Sequence, residues 1–250
     1  MKHPLLRPSW LIRHAFALLI FITMIGLGIW QLDRLGQRRA ANAARQAVLD
    51  QSPVALSGDP DAGLALVGRR VRASGTYLNA QSVILRGQKS DSGVDGVHLL
   101  TPLQLSGGDV AVIVDRGWLP AGQAAPEARG AFAIDREVTV EGVALIGQSR
   151  PDALLASMDL AMPGETRIDA WLRVDIGKMQ AQIDAPLLPV YIEQLPSAAG
   201  PRLPLPADPR KLDEGPHLSY ALQWFAFSVI LAVVYAGLMR QELRRIGRAG

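Results

Sequence analysis

The 250-residue chain contains no cysteine. That absence removes disulfide staples, thiolate metal sites, thiol nucleophiles and covalent c-type haem attachment, and it leaves His, Met and oxygen as the available metal ligands. Aromatic residues are also sparse, at 6%. Charge is missing altogether from two stretches: residues 14–32 (HAFALLIFITMIGLGIWQL) and 218–239 (LSYALQWFAFSVILAVVYAGLM) hold no Asp, Glu, Lys or Arg. Both are long enough to cross a hydrocarbon core of about 30 Å as a helix, which takes roughly 20 residues. A purely soluble enzyme is therefore excluded as the first reading.

The net charge of +3 is not spread evenly. Lys2, Arg7 and Arg13 precede the first apolar run, and Arg240, Arg244, Arg245 and Arg248 follow the second. Between residues 35 and 210 there are 17 basic and 19 acidic side chains, so the middle is slightly acidic and carries no nucleic-acid footprint. No nucleic-acid partner is expected; the lipid bilayer is.

The first run exceeds the usual 7 to 15 apolar residues of a cleaved signal, and Trp30-Gln31-Leu32 offers no small-residue cleavage site, so it reads as a retained span. Orientation is set by the second span, whose N-terminal flank has Lys211 outweighed by Asp213 and Glu214 while its C-terminal flank is basic. The expected organisation is a cytoplasmic basic N-terminus (1–13), a first transmembrane helix (14–32), an extracytoplasmic domain (33–216), a second transmembrane helix (217–239) and a cytoplasmic basic tail (240–250). Six prolines between Pro196 and Pro216 predict an extended connector over 196–216.

The patterning of the outer region is mainly β. Residues 67–76, 81–87, 97–105, 109–116, 137–147, 170–175 and 188–193 are β-branched or alternating runs between turn signals, and Gly107-Gly108 fits a hairpin turn. Helical signals are confined to a polar continuation of the first span to about Val48 and a short amphipathic stretch from Ile176 to Ile183. The fold class is a membrane protein: two transmembrane helices as a hairpin, bracketing an extracytoplasmic α+β, mostly antiparallel β domain that can close as a barrel.

Candidate chemistry is thin. His3 and His14 belong to the basic flank, and His98 lies in a strand-like run. Met158, Met162 and Met179 suit gap-filling better than copper binding. His217 differs, because it opens the second span after Pro216, which suits a helical first turn. At 3.6 residues per turn His217, Tyr220, Ala221, Trp224 and Ser228 share a face, a surface able to receive a flat macrocycle with His217 as axial ligand, or equally an ordinary interfacial belt with a capping histidine. At the end of the first span Gly26, Trp30 and Arg34 form an i, i+4, i+8 stripe with Gly28 and Gln31 beside it. There a small residue permits close helix contact, Trp30 anchors at the interface and Arg34 can meet an acidic group. The segment Asp115-Arg116-Gly117-Trp118-Leu119-Pro120 closes an apolar strand as a turn carrying a large side chain. No hydrolase triad, phosphate loop or metal cluster is present as a motif.

The ordered set GIWQLDR (28–34), GTYL (75–78), GVHLLTPLQL (96–105), VIVDRGWLP (112–120), WLRVDIGKMQ on to PVYIEQL (171–195) and HLSYALQWFAF (217–227) resembles the Surfeit locus protein 1 family of cytochrome c oxidase assembly factors. The resemblance implies a non-enzymatic role in inserting or retaining haem a while the catalytic subunit (subunit I) is built, with that subunit and a haem a synthase as partners. It maps a haem-binding histidine onto His217 as the iron ligand, with Trp224 and Tyr220 on its helix and Trp30 and Arg34 from the first span as further cofactor-binding residues. Many relatives carry Asn-Asn or Asn-Arg before this histidine, where this chain has Gly215-Pro216. The expected location is a bacterial inner membrane, with both termini cytoplasmic and the domain periplasmic. A cofactor-free scaffold needs no His217 chemistry. A membrane-anchored enzyme would need a converging nucleophile and base, and His98 beside an acidic pair in a deep pocket would favour it.

Overall fold

The computed structural model describes residues 7–148, 167–197, 202–208 and 212–249, and the chain divides into two compact units, residues 1–45 with 212–250 and residues 46–211. Met158 and Met162 lie outside the described residues, as does His3.

The first unit is built from two helices, α1 (Pro8–Leu49, whose last turn enters the second unit) and α5 (His217–Ala249). Both are long and apolar enough to cross a membrane. Each runs past the expected span, because Arg and Gln are good helix formers and nothing in the polar flanks breaks the hydrogen-bond ladder. Leu18, Leu19, Ile22 and Ile29 on α1 and Leu222, Val229, Val233 and Val234 on α5 are exposed, a belt of apolar side chains that only hydrocarbon would cover.

The two helices are antiparallel, since His14 Nδ1 meets the Tyr235 hydroxyl near one end and His217 Nδ1 meets Gln31 Oε1 near the other. Covered positions repeat at alternating steps of three and four: His14, Ala17, Phe21, Met24, Gly28, Gln31 and Leu35 on α1, and His217, Ala221, Trp224, Ser228, Leu231 and Tyr235 on α5. That 3.5-residue period is the seam of a left-handed helix pair. The close approach falls at Gly28, where a Cβ would stand 2.5 Å from the Phe225 ring, and not at Gly26, which has nothing within 4 Å. Of the small residues at this end of the span, Gly28 therefore makes the close helix contact and Gly26 does not.

In the second unit an eight-stranded sheet contains β1 (Val54–Ala55), β2 (Arg70–Tyr77), β3 (Val83–Lys89), β4 (Asp95–Leu105), β5 (Ala111–Pro120), β6 (Val138–Ile146), β7 (Ala170–Trp171) and β8 (Leu187–Gln194). Five of them close a ring in the order β2, β6, β8, β5, β4 and back to β2, with only the β5 and β8 pair parallel. Closure is possible because β4 changes partner along its length: residues 95–100 pair with β3 and residues 103–105 with β2. Gly75 sits at that crossing, and a Cβ there would fall 1.9 Å from the Gln104 carbonyl oxygen. The ring leaves no free edge on those five strands.

Inward positions alternate along each strand and fill the barrel: Val71 and Ala73, Leu103, Val112 and Val114, Val140 and Ala144, and Leu188, Val190 and Ile192. Strand β5 is buried on both faces, since Ile113 points the other way into a second cluster with Val83, Leu100, Trp171 and Met179. Met179 fills space there, as its sequence context predicts. Met179 is the buried residue of the short helix α4 (Ile176–Gln180), which is capped by Asp175, and it shares this cluster with Trp171.

The strand expected over 170–175 ends at Trp171, because Asp175 turns to accept from Lys178 N and start α4. Helix α4 itself stops at Gln180, whose side-chain amide donates to the carbonyls of Ile183 and Ala185 and so holds the turn that follows. The proline-rich connector is in part docked: Trp118 and Leu205 exchange backbone hydrogen bonds of 2.7 and 2.8 Å, so residues near 205 form a strap along the end of β5.

Candidate functional site

His217 stands at the first position of α5, held by a short polar lead-in. Asp213 Oδ1 accepts from Gly215 N at 2.8 Å, while the Asp213 carbonyl accepts from Arg38 Nε and Asn42 Nδ2, both at 3.2 Å. Glu214 takes both Arg39 donors at 2.9 and 2.8 Å, and that pairing holds the Glu214 carboxyl below the ordinary carboxylate range. These bonds fasten the start of α5 to the polar continuation of α1, and so fix where the imidazole lies.

The ring is half-buried, and its Nδ1 lies 2.8 Å from Gln31 Oε1. A carboxamide oxygen only accepts, so Nδ1 carries the proton and the neutral ring presents its lone pair at Nε2. This is the tautomer that a second partner imposes on metal-binding histidines. Gly215 (φ +73°) lies against the other edge of the ring, where a Cβ would stand 3.3 Å from Cδ2 and 3.4 Å from Nε2, so glycine places no side chain against that nitrogen. Donor type and tautomer fit a haem iron.

The other expected residues are placed differently. Trp224 is on the seam, half-buried and edge-on to Phe227 at 6.2 Å between centroids. Tyr220 is 46% and Trp30 52% exposed, turned away from the seam. Arg34 is exposed, and its Nη1 donates to Gln37 Oε1 at 2.9 Å. The structure thus brings His217 together with Gln31 and leaves Trp30, Arg34 and Tyr220 on the outer faces of their helices. Gln31 stood beside the Gly26, Trp30, Arg34 stripe in the sequence, but only the 3.5-residue seam singles it out.

In the barrel His98 is not solitary. Its Nδ1 lies 2.8 Å from Asp115 Oδ2, with both side chains largely buried, and Asp115 Oδ1 accepts from Gly117 N. The partner is one acid and not an acidic pair, and among the described residues no hydroxyl is hydrogen-bonded to the ring. No group of three or more potential metal ligands occurs among the described residues.

The SURF1 family model matches residues 18–229, which runs from within α1 through the whole barrel into the first turns of α5. The chain belongs to the SURF1 family. It is 27% identical over 240 residues to a SURF1-like protein of Monosiga brevicollis, covering 90% of this chain and 87% of that one. A SURF1-like protein of Rickettsia felis is 28% identical over 222 residues, 87% of this chain and 92% of its own. Surfeit locus protein 1 of Homo sapiens is 23% identical over 232 residues, covering 87% of this chain and 74% of the human one. In this SURF1 family member the His217 and Gln31 pair lies inside the matched region.

Proposed function

We propose that this chain is an assembly factor for a haem-copper cytochrome c oxidase, acting without catalysis of its own to help haem a enter, or stay in, the catalytic subunit. The observation that carries the reading is the His217 ring, held through Nδ1 by Gln31 at the start of α5, in a chain of the SURF1 family. His217 would supply one axial bond to the iron, and Trp224 would cover part of the ring. Trp30, Tyr220 and Arg34, on outer faces, would complete the contact, with Arg34 meeting a propionate. His217 would hold the haem through one protein ligand, which suits cargo in transit. The barrel would recognise the nascent subunit I, and a haem a synthase would deliver the cargo. Basic flanks at both chain ends support cytoplasmic termini and a periplasmic barrel in a bacterial inner membrane.

A second reading draws on the outward placement of Trp30, Arg34 and Tyr220. Side chains that do not gather around His217 are available to grip a protein, as a cofactor-free scaffold would. The two readings separate on one experiment. The chain is expressed in cells that make haem a, purified in detergent, and its reduced-minus-oxidised spectrum is compared with that of His217→Ala. A haem a band lost in the variant is expected. No band in either folded protein, with an oxidase subunit co-purifying, would establish the scaffold instead.

A further inference from the structure

Four acidic or basic side chains in the described residues are buried: Asp115, Arg116, Arg129 and Asp175. Three have an ionic or ionisable partner, in His98, Asp169 and Lys178 respectively. Arg116, at 6% exposure, has none among the described residues. Its Nη2 donates to the Phe132 carbonyl at 2.7 Å, and its guanidinium lies over the Tyr77 ring, 4.6 Å from the centroid. A carbonyl and an aromatic face soften the loss of water around a cation, but they do not neutralise it, and an unpaired buried charge is among the costliest features a fold can hold.

Strand geometry puts it there. Between Asp115 and Trp118 strand β5 carries two residues, Arg116 and Gly117, opposite the single Leu99 of β4, which is a β-bulge. Bulges re-aim side chains. Here the bulge turns Arg116 into the wall of a cavity of about 660 Å³, also lined by Tyr77, His98, Trp118, Ile134 and Leu205 of the docked strap. That volume is in the range of small-molecule sites, and the wall combines aromatic and proline surface with charged side chains, Lys89, Asp91, Arg202 and Asp208 besides Arg116.

We propose that this cavity binds a small organic carboxylate, with Arg116 as its counter-charge and the apolar body of the ligand lying along Tyr77, Trp118 and Leu205. Arg116 is the one buried cation of the described wall; Lys89 is exposed and paired with Asp95, and Arg202 is exposed. The planar fork of the guanidinium fits a carboxylate. The site lies wholly in the barrel unit and is independent of His217.

The test uses the full chain in lipid nanodiscs, with empty nanodiscs subtracted, titrated calorimetrically with 2-naphthoate and, separately, with 2-naphthamide, which has the same rings and no charge. Saturable one-to-one binding of naphthoate is expected, weaker by about tenfold or more for the amide, as for loss of a charge-assisted contact. Arg116→Gln should lose naphthoate binding to the same degree, and Arg116→Lys, which keeps the charge without the fork, should fall between. Equal affinity for acid and amide, or no saturable binding to the wild-type chain, overturns the proposal with no variant needed. Full naphthoate affinity in Arg116→Gln overturns the role of Arg116, and displacement of naphthoate by equimolar inorganic phosphate overturns the choice of a monocarboxylate.

Discussion

Gln31 Oε1 and His217 Nδ1 are 2.8 Å apart, joining two residues 186 positions distant in the chain and fixing which imidazole nitrogen is free. Gln31→Leu keeps the size of the side chain and removes the acceptor. The ring then loses its tautomer lock and its fixed rotamer, and loss of such an outer partner ordinarily weakens metal binding by about 10- to 100-fold. The expected result is a haem a band that declines on dilution at concentrations where wild type holds its full band, with helix content by circular dichroism unchanged. A variant retaining haem as tightly as wild type would remove Gln31 from the site.

Gly28 and Gly26 make an internal control on one helix. A methyl at 28 meets the Phe225 ring at 2.5 Å, whereas a methyl at 26 meets nothing within 4 Å. Gly28→Ala should therefore force the ring aside and destabilise the helix pair by about 1 to 3 kcal/mol, the usual cost of overpacking. Gly26→Ala should be neutral or slightly stabilising, since alanine is the better helix former. Unfolding midpoints in detergent, measured side by side, decide between them; equal effects would place the seam elsewhere.

These two sites also show what the sequence could and could not reveal. The spans were legible because charge is absent from two runs of the right length, and the barrel strands because alternation survives wherever one face is buried, as in Val71, Ala73 and Val140. The seam was not. An i, i+4, i+8 stripe such as Gly26, Trp30, Arg34 drifts around a helix by about 80° over its length at 100° per residue, whereas a packed pair follows steps of three and four, which leads through Gly28, Gln31 and Leu35. Gln31 became visible as a partner only when α5 was laid beside it. A barrel was among the forms the strand pattern allowed, but the way it closes was hidden, because it depends on β4 exchanging β3 for β2, a choice no local pattern encodes. The dyad of His98 and Asp115 spans adjacent strands, and its register is offset by the bulge at Arg116.

The barrel should lose stability at both ends of the pH scale, for opposite reasons. Burial pushes the Tyr77 and Tyr191 hydroxyls up to about 12. Unfolded tyrosines ionise near pH 10, so this contribution is present in full below pH 10 and disappears as pH rises through 12. Tyr77→Phe should flatten the alkaline limb. Arg72 and then Arg70 hold the Glu141 carboxyl below its ordinary range, and the stability they lend is present above about pH 4.5 and lost as pH falls. Glu141→Gln should flatten the acid limb. Denaturant midpoints measured from pH 3 to 12 test both, and an alkaline limb unchanged in Tyr77→Phe would assign it to Tyr191 alone.

Among the described residues of the barrel unit, Arg129 and Asp169 form the most covered ion pair involving arginine, with the Arg129 side chain 6% and the Asp169 side chain 28% exposed. Arg129 Nη2 donates to both Asp169 oxygens at 2.7 and 2.6 Å, and its Nη1 donates to the Ser82 carbonyl at 3.0 Å, tying helix α3 (Pro126–Arg129) to the edge where β3 meets β7. Asp169→Asn removes the charge and leaves the guanidinium buried, at a cost of about 3 kcal/mol, the low end for half of a buried pair because Asp169 keeps contact with solvent. Arg129→Met in the same chain removes the stranded charge as well, so the double variant should recover much of that loss although it lacks every bond of the pair. A double variant no more stable than Asp169→Asn would show that the hydrogen bond to Ser82, and not charge compensation, is what this corner of the barrel requires.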